Sequence, residues 1–230
     1  MIAIMVAMDC EREAIEQILV NKKNVVSRNQ TYTIGTIGNK EVIIATCGIG
    51  KVISAINTAS ILENYDIDLV INIGTAGGLY DGADIADVIV ASKVTYHDFD
   101  LYSIDGIKPS FDNNYYTFVT ERELIDLAYE VIKNDDYEVF IKPIVSGDAF
   151  VSSGERLTYI QKHFPEAYGC DMEACSIAHC CNEYNKKFLI IRSFSDIVTK
   201  KGNELDFNEY KFIASKRAAH FSKMIIEKLD

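Results

Sequence analysis

Leu69-Val70-Ile71-Asn72-Ile73, followed at once by Gly74-Thr75-Ala76-Gly77-Gly78, is the stretch that decides the fold class. Four of its first five residues are apolar, and three of those are β-branched. A strand with one wet face would alternate polar and apolar positions, so this run reads as a strand covered on both faces. Working outward, comparable runs recur at Ile2–Ala7, Val42–Thr46, Val88–Ala91, Val139–Val145 and Phe188–Arg192. Several segments between them carry helical spacing, clearest at Glu11–Asn21, Lys51–Asn64, Glu121–Lys133, Glu155–His163, Glu173–Tyr184 and Phe207–Leu229. In the last of these Tyr210, Ile213, Ala214, Ala218, Phe221, Met224, Ile225 and Leu229 form the stripe of a helix packed on one side. Strands alternating with helices argue for an α/β fold with helices on both faces of the sheet. Residues 98–116 have weak periodicity, a glycine, a proline and many aromatics, and are expected to be a long loop, a common home for function.

The chain has 230 residues, of which 48% are hydrophobic and only 3 are proline. That suits one substantial core with no linker, and a single domain spanning 1–230 is expected. A formal net charge of -11 disfavours nucleic acid and anionic membrane surfaces, which are held mainly by Lys and Arg. The run Ile2 to Met8 is shorter than a bilayer span, lacks a basic leader and leads straight into Asp9-Cys10-Glu11, so it reads as a buried strand. Six cysteines, none in a C-x-x-C pair, are too few for a disulfide scaffold of this length and fit a reducing cytoplasm. Cys175 and His179 lie four apart on one helix face, but two ligands do not make a metal site, and no metal is expected.

Four segments put polar or acidic residues beside an expected strand end, where ligand crevices form in open α/β sheets. They are Met8-Asp9-Cys10-Glu11, Gly74–Gly78, Asp171-Met172-Glu173 and Arg192-Ser193-Phe194-Ser195-Asp196. Each alone has an ordinary structural explanation: Glu11 or Glu173 as the complement of a helix N-terminus, Asp196 as a turn cap, the glycines as a tight connection. Other motifs are incomplete. Gly48-Ile49-Gly50 lacks the third glycine of a dinucleotide fingerprint, no P-loop occurs, and Ser146-Gly147-Asp148 is not a nucleophile elbow.

Taken together, the segments resemble the 5′-methylthioadenosine/S-adenosylhomocysteine nucleosidases, a hydrolytic branch of the purine nucleoside phosphorylase-like superfamily. The likeness covers nearly the whole chain. It rests on Ala7-Met8-Asp9-Cys10-Glu11, Gly48-Ile49-Gly50-Lys51-Val52, Gly74–Gly78, Tyr96-His97-Asp98, Val145-Ser146-Gly147-Asp148-Ala149-Phe150, Asp171-Met172-Glu173-Ala174 and Arg192–Asp196. The resemblance implies a three-layer α/β/α fold around a mixed, strongly curved sheet, a homodimer, and methionine salvage in the cytoplasm without a cofactor. The implied reaction cleaves the N9–C1′ bond of a 5′-substituted adenosine with water, leaving charge on both halves of an oxocarbenium-like transition state.

The resemblance also implies roles. Glu11 is the general base for water, Asp196 with help from Ser195 the acid at purine N7, and Glu173 the acceptor for the ribose hydroxyls. Arg192 holds the water or a carboxylate. Phe150 and the Val151 backbone receive adenine, beside Thr75, Ala76 and Gly77 of the glycine segment. Met8, Ile49, Met172 and Phe207 line the sugar and thioether side, and Ile104 and Pro109 of a partner subunit close the 5′ pocket. Thr75 stands where serine is frequent, and Val198–Gly202 departs from the usual pattern, which bears on the 5′-substituent. Two alternatives stay open: a phosphorolytic relative, with Arg12 as a phosphate ligand, and a nucleoside-binding protein without catalysis.

Overall fold

A computed structural model describes residues 1–27, 30–113, 115–134, 138–200 and 203–229, with only the backbone of 203–209. In chain order the elements are β1 (Ile2–Val6), α1 (Asp9–Glu16), β2 (Val20–Ser27), β3 (Gln30–Ile37), β4 (Lys40–Thr46), α2 (Lys51–Asn64), β5 (Leu69–Gly78), β6 (Val88–Tyr96), α3 (Tyr102–Asp105), β7 (Thr117–Val119), α4 (Arg122–Ile132), β8 (Val139–Ser146), α5 (Gly154–His163), β9 (Gly169–Asp171), α6 (Ala174–Glu183), β10 (Lys187–Ile197) and α7 (Asn203–Lys228).

The strands among the described residues form one mixed sheet in the order β10-β6-β8-β9-β5-β1-β4-β3-β2, with β7 beside β6 and β10 also paired to β5. That extra pairing returns β10 to β5, so five strands curl into a closed ring at one end of the sheet. Alternate residues of β1 serve opposite cores. Ala3 and Met5 face the layer of α2 and α6, with Ile61, Ile177 and Cys181. Ile2, Ile4 and Val6 face that of α1, α4 and α7, with Ile15, Ile125, Phe221 and Ile225. Both faces of the strand are dry, which is why its sequence does not alternate.

Four expectations need correction. The helix expected over Glu11–Asn21 stops at Glu16, and the chain turns into β2 at Val20. β2, β3, β7 and β9 were not foreseen. Ile213, placed on the buried stripe of α7, is exposed, while Ala219 and Ile226 are buried. The glycine segment after Ile73 is no connection: β5 runs on to Gly78, because β10 pairs with it in parallel from Leu69 to Gly78.

Candidate active site

The parallel order of β1, β5 and β10 puts their carboxyl-terminal halves side by side. β9 runs against β5, pairing Cys170 with Gly77, and so carries Asp171-Met172-Glu173 back toward Gly74. The result is a cavity of about 200 Å³ lined by Met8, Glu11, Ile49, Asn72, Thr75, Ala76, Gly77, Phe150, Asp171, Met172, Glu173, Arg192, Ser195 and Asp196, among others. A smaller recess shares Gly77, Phe150, Met172 and Asp196 with it and adds Val151.

Glu11 divides its two oxygens between two tasks. Oε2 accepts the N–H groups of Ala7 and Met8, each at 2.9 Å, the capping role of a glutamate in a helix's first turn. Oε1 is buried and accepts no hydrogen bond among the described residues. Burial lifts its pKa above the ordinary carboxylate range, against the pull of the Met8 N–H and of Arg192. This is a carboxylate held in place by one oxygen with the other left to act on a ligand.

Glu173 precedes α6, yet Asp171 accepts the first free amide of that helix, Ala174 N–H, at 3.2 Å. Glu173 is thereby released from capping. Its Oε1 accepts the Gly50 N–H at 2.8 Å. Burial, and next the charge of Asp171, push its pKa up to about 8. Gly50 has φ +101, a conformation open to glycine, and it is this turn that aims its amide at the carboxylate.

Arg192 is fully buried and donates four hydrogen bonds to protein, with one further ion-pair contact to Asp171. Nε and one terminal nitrogen bind Asp171 Oδ2 at 2.9 and 2.7 Å. The other hydrogen bonds reach the Asn72 side chain and the carbonyls of Asn72 and Ile191. Of the two partners expected for Arg192, water or a carboxylate, the described residues supply the carboxylate. Arg192 holds Asp171, and its charge lowers the pKa values of Glu11 and Glu173. Asn72 is a site residue to which the sequence reading assigned no function, and Asp171, quoted within the Asp171–Glu173 segment, had no role of its own. The signal for Asn72 was its place as the only polar residue within Leu69–Ile73.

On β10 the register against β5 shifts between Phe194 and Asp196. In a regular strand consecutive side chains point to opposite faces. The bulge lets both Ser195 and Asp196 line one cavity, and Ser195 Oγ donates to Asp196 Oδ1 at 2.8 Å. Gly77 leaves room for them: a Cβ there would meet Asp196 Oδ2 at 3.3 Å and Val198 Cγ2 at 2.7 Å.

Other expectations fall elsewhere. Ile104 is 83% exposed and Pro109 is buried within its own chain; both are expected at a partner's pocket, and neither lines this chain's own cavity. The Phe207 side chain lies outside the described residues, as do Lys201 and Gly202 of the segment after Asp196. Arg12 turns away to Glu16 and the Thr31 carbonyl, so the arginine that a phosphate site would use is not at the cavity. The Cys175 thiol faces the Tyr116 carbonyl and His179 the Tyr96 hydroxyl.

The family model of the phosphorylase superfamily matches residues 1–229. A 5′-methylthioadenosine/S-adenosylhomocysteine nucleosidase of Haemophilus influenzae is 32% identical over 229 residues, covering 100% of this chain and 98% of its own. The chain is similar to the Neisseria meningitidis nucleosidase of that name in complex with methylthio-immucillin-A, with TM-score 0.91, 32% identity and 99% of each chain covered. A Borrelia burgdorferi structure described in the same terms and bound to adenine gives TM-score 0.92 and 34% identity over 100% of both chains.

Proposed function

This chain belongs to the phosphorylase superfamily, among the 5′-methylthioadenosine/S-adenosylhomocysteine nucleosidases, and from that premise we propose how its cavity hydrolyses their N-glycosidic bond. The enzyme is an N-glycosyl hydrolase that releases adenine. Glu11 takes a proton from water through Oε1 as the oxygen bonds to C1′. The N9–C1′ bond breaks with its electron pair passing to the purine, and Asp196, oriented by Ser195, delivers a proton to N7. Glu173 accepts the ribose hydroxyls, and that contact strengthens as C1′ loses electron density. Arg192 and Asp171 act as positioning residues. Phe150 and the Val151 backbone receive the base, and Met8, Ile49 and Met172 flank the sugar and its 5′-sulfur.

The observation that carries the reading is the divided Glu11 carboxylate, one oxygen tied down by two amides and the other buried with no hydrogen-bond partner among the described residues, in the same cavity as Asp196. A phosphorylase needs an anion site where this carboxylate stands, and a non-catalytic binder has no use for it. The test is steady-state kinetics on methylthioadenosine. Glu11→Gln and Asp196→Asn are each expected to lower kcat by about 10²-fold or more with native circular dichroism. Near-normal turnover of either variant contradicts the role given to that residue.

The enzyme works as a cytoplasmic homodimer in this reading. Ile49, just before α2, and Val52, Ile53 and Ile56 on it are exposed apolar residues at helical spacing, the kind of surface that interfaces use. Ile104, more exposed still at 83%, reaches a partner's 5′ pocket in this reading.

A further inference from the structure

Three segments that meet beside the cavity are joined by one cluster of charges outside it. Lys51 opens α2, Asp98 follows β6, and Asp148 follows β8. Lys51 Nζ lies 2.7 Å from both oxygens of Asp98 and 3.7 Å from Asp148 Oδ2. Asp148 Oδ1 accepts the Lys51 backbone N–H at 2.7 Å, and the Asp148 N–H donates to Asp98 Oδ2 at 2.9 Å. Asp98 thus grips the cation with both oxygens and the third segment's backbone with one of them.

What flanks the cluster gives it a role. Gly50, one residue before Lys51, donates the N–H that Glu173 accepts. Phe150, two residues after Asp148, lines the cavity. Gly147 between Ser146 and Asp148 lies against His97, whose ring would be 2.4 Å from any added Cβ, and the Gly147 N–H binds the Asp171 carbonyl. Tyr96 supports the cation from one side, with Lys51 Nζ 5.4 Å from its ring centre. Ser54 and Ser176, 2.6 Å apart through their hydroxyls, fasten α2 to α6.

We propose that Lys51, Asp98 and Asp148 form a positioning clamp that fixes the Gly50 amide on Glu173 and sets the ribose acceptor and the Phe150 platform at one spacing. The clamp touches no reacting atom. It acts through Glu173, and so rests on the ribose-acceptor role given to that residue above. An exposed ion pair with no such coupling changes turnover little, whereas misplacement of a contact to the reacting sugar is amplified in the rate.

The test is a double-mutant cycle on methylthioadenosine hydrolysis with wild type, Lys51→Met, Glu173→Gln and the double variant, with Lys51→Arg as the charge-retaining control. Lys51→Met is expected to lower kcat about tenfold or more in the wild-type background and by less than about twofold in the Glu173→Gln background, since its target is then gone. Lys51→Arg should keep most of the activity. Equal losses from Lys51→Met in both backgrounds, or no loss in the wild-type background, overturn the clamp while leaving Glu173 as acceptor. A Glu173→Gln enzyme as fast as wild type overturns the acceptor role and the clamp with it. Asp98→Asn, which keeps size and loses charge, should reproduce the Lys51→Met pattern; if Lys51→Met does not fold, the cycle run on Asp98→Asn decides by the same criteria.

Discussion

Glu173 carries a stability cost that the rest of the fold offsets. Its folded-state pKa, about 8, lies above the ordinary 4.5. Between those values the native state binds a proton that the unfolded chain has released, so stability falls as pH rises through that window. Replacing the group by a neutral isostere removes this dependence. Glu173→Gln is therefore expected to melt close to wild type near pH 4.5 and increasingly above it toward pH 8, as measured by calorimetry across that range. A difference that stays flat with pH contradicts a buried, proton-retaining Glu173. Such a side chain also explains why function was legible at this residue. A carboxylate that burial makes costly persists where chemistry uses it. Arg192 was harder to read. A lone arginine in a strand looks like a ligand contact, and only the positions of Asp171 and Asn72 reveal that it is anchored to protein.

At the scale of elements, β5 does two jobs that the sequence kept apart. Its first half is core and its second half is the floor of the cavity. At Gly74 a Cβ would come within 2.9 Å of Glu11 Oε1, the oxygen assigned to water. Gly74→Ala is expected to displace that carboxylate and lower kcat about tenfold or more while far-ultraviolet circular dichroism stays native. Unchanged kcat places Glu11 Oε1 elsewhere. The buried strands were legible because two dry faces leave continuous apolar runs, as in Ile2–Val6 and Leu69–Ile73. β2 was not, since its residues Val20 to Asn24 are all exposed and Asn-Lys-Lys-Asn carries no apolar period. β9 has three residues, too few for any period. The bulge at Ser195 was equally hidden: nothing in Phe194-Ser195-Asp196 marks a register shift that only pairing with Ala76 and Gly77 creates.

For the whole molecule, closure of the strand ring brings Glu11 from residue 11 and Asp196 from residue 196 into one cavity. No described helix is long and apolar enough to cross a membrane. If the proposed dimer forms through the apolar face of α2, Val52→Asp combined with Ile56→Asp is expected to shift sedimentation from dimer to monomer and to weaken substrate binding by leaving the 5′ pocket open. A dimer unaffected by both charges assigns the interface elsewhere. The central claim is that a carboxylate-activated water, and not phosphate, attacks the sugar. Mass spectrometry of the products from methylthioadenosine, with and without inorganic phosphate, tests it most directly. Undiminished turnover in phosphate-free buffer, yielding adenine and free 5-methylthioribose in both samples, is the result this account predicts; an absolute phosphate requirement with a ribose 1-phosphate product would contradict it.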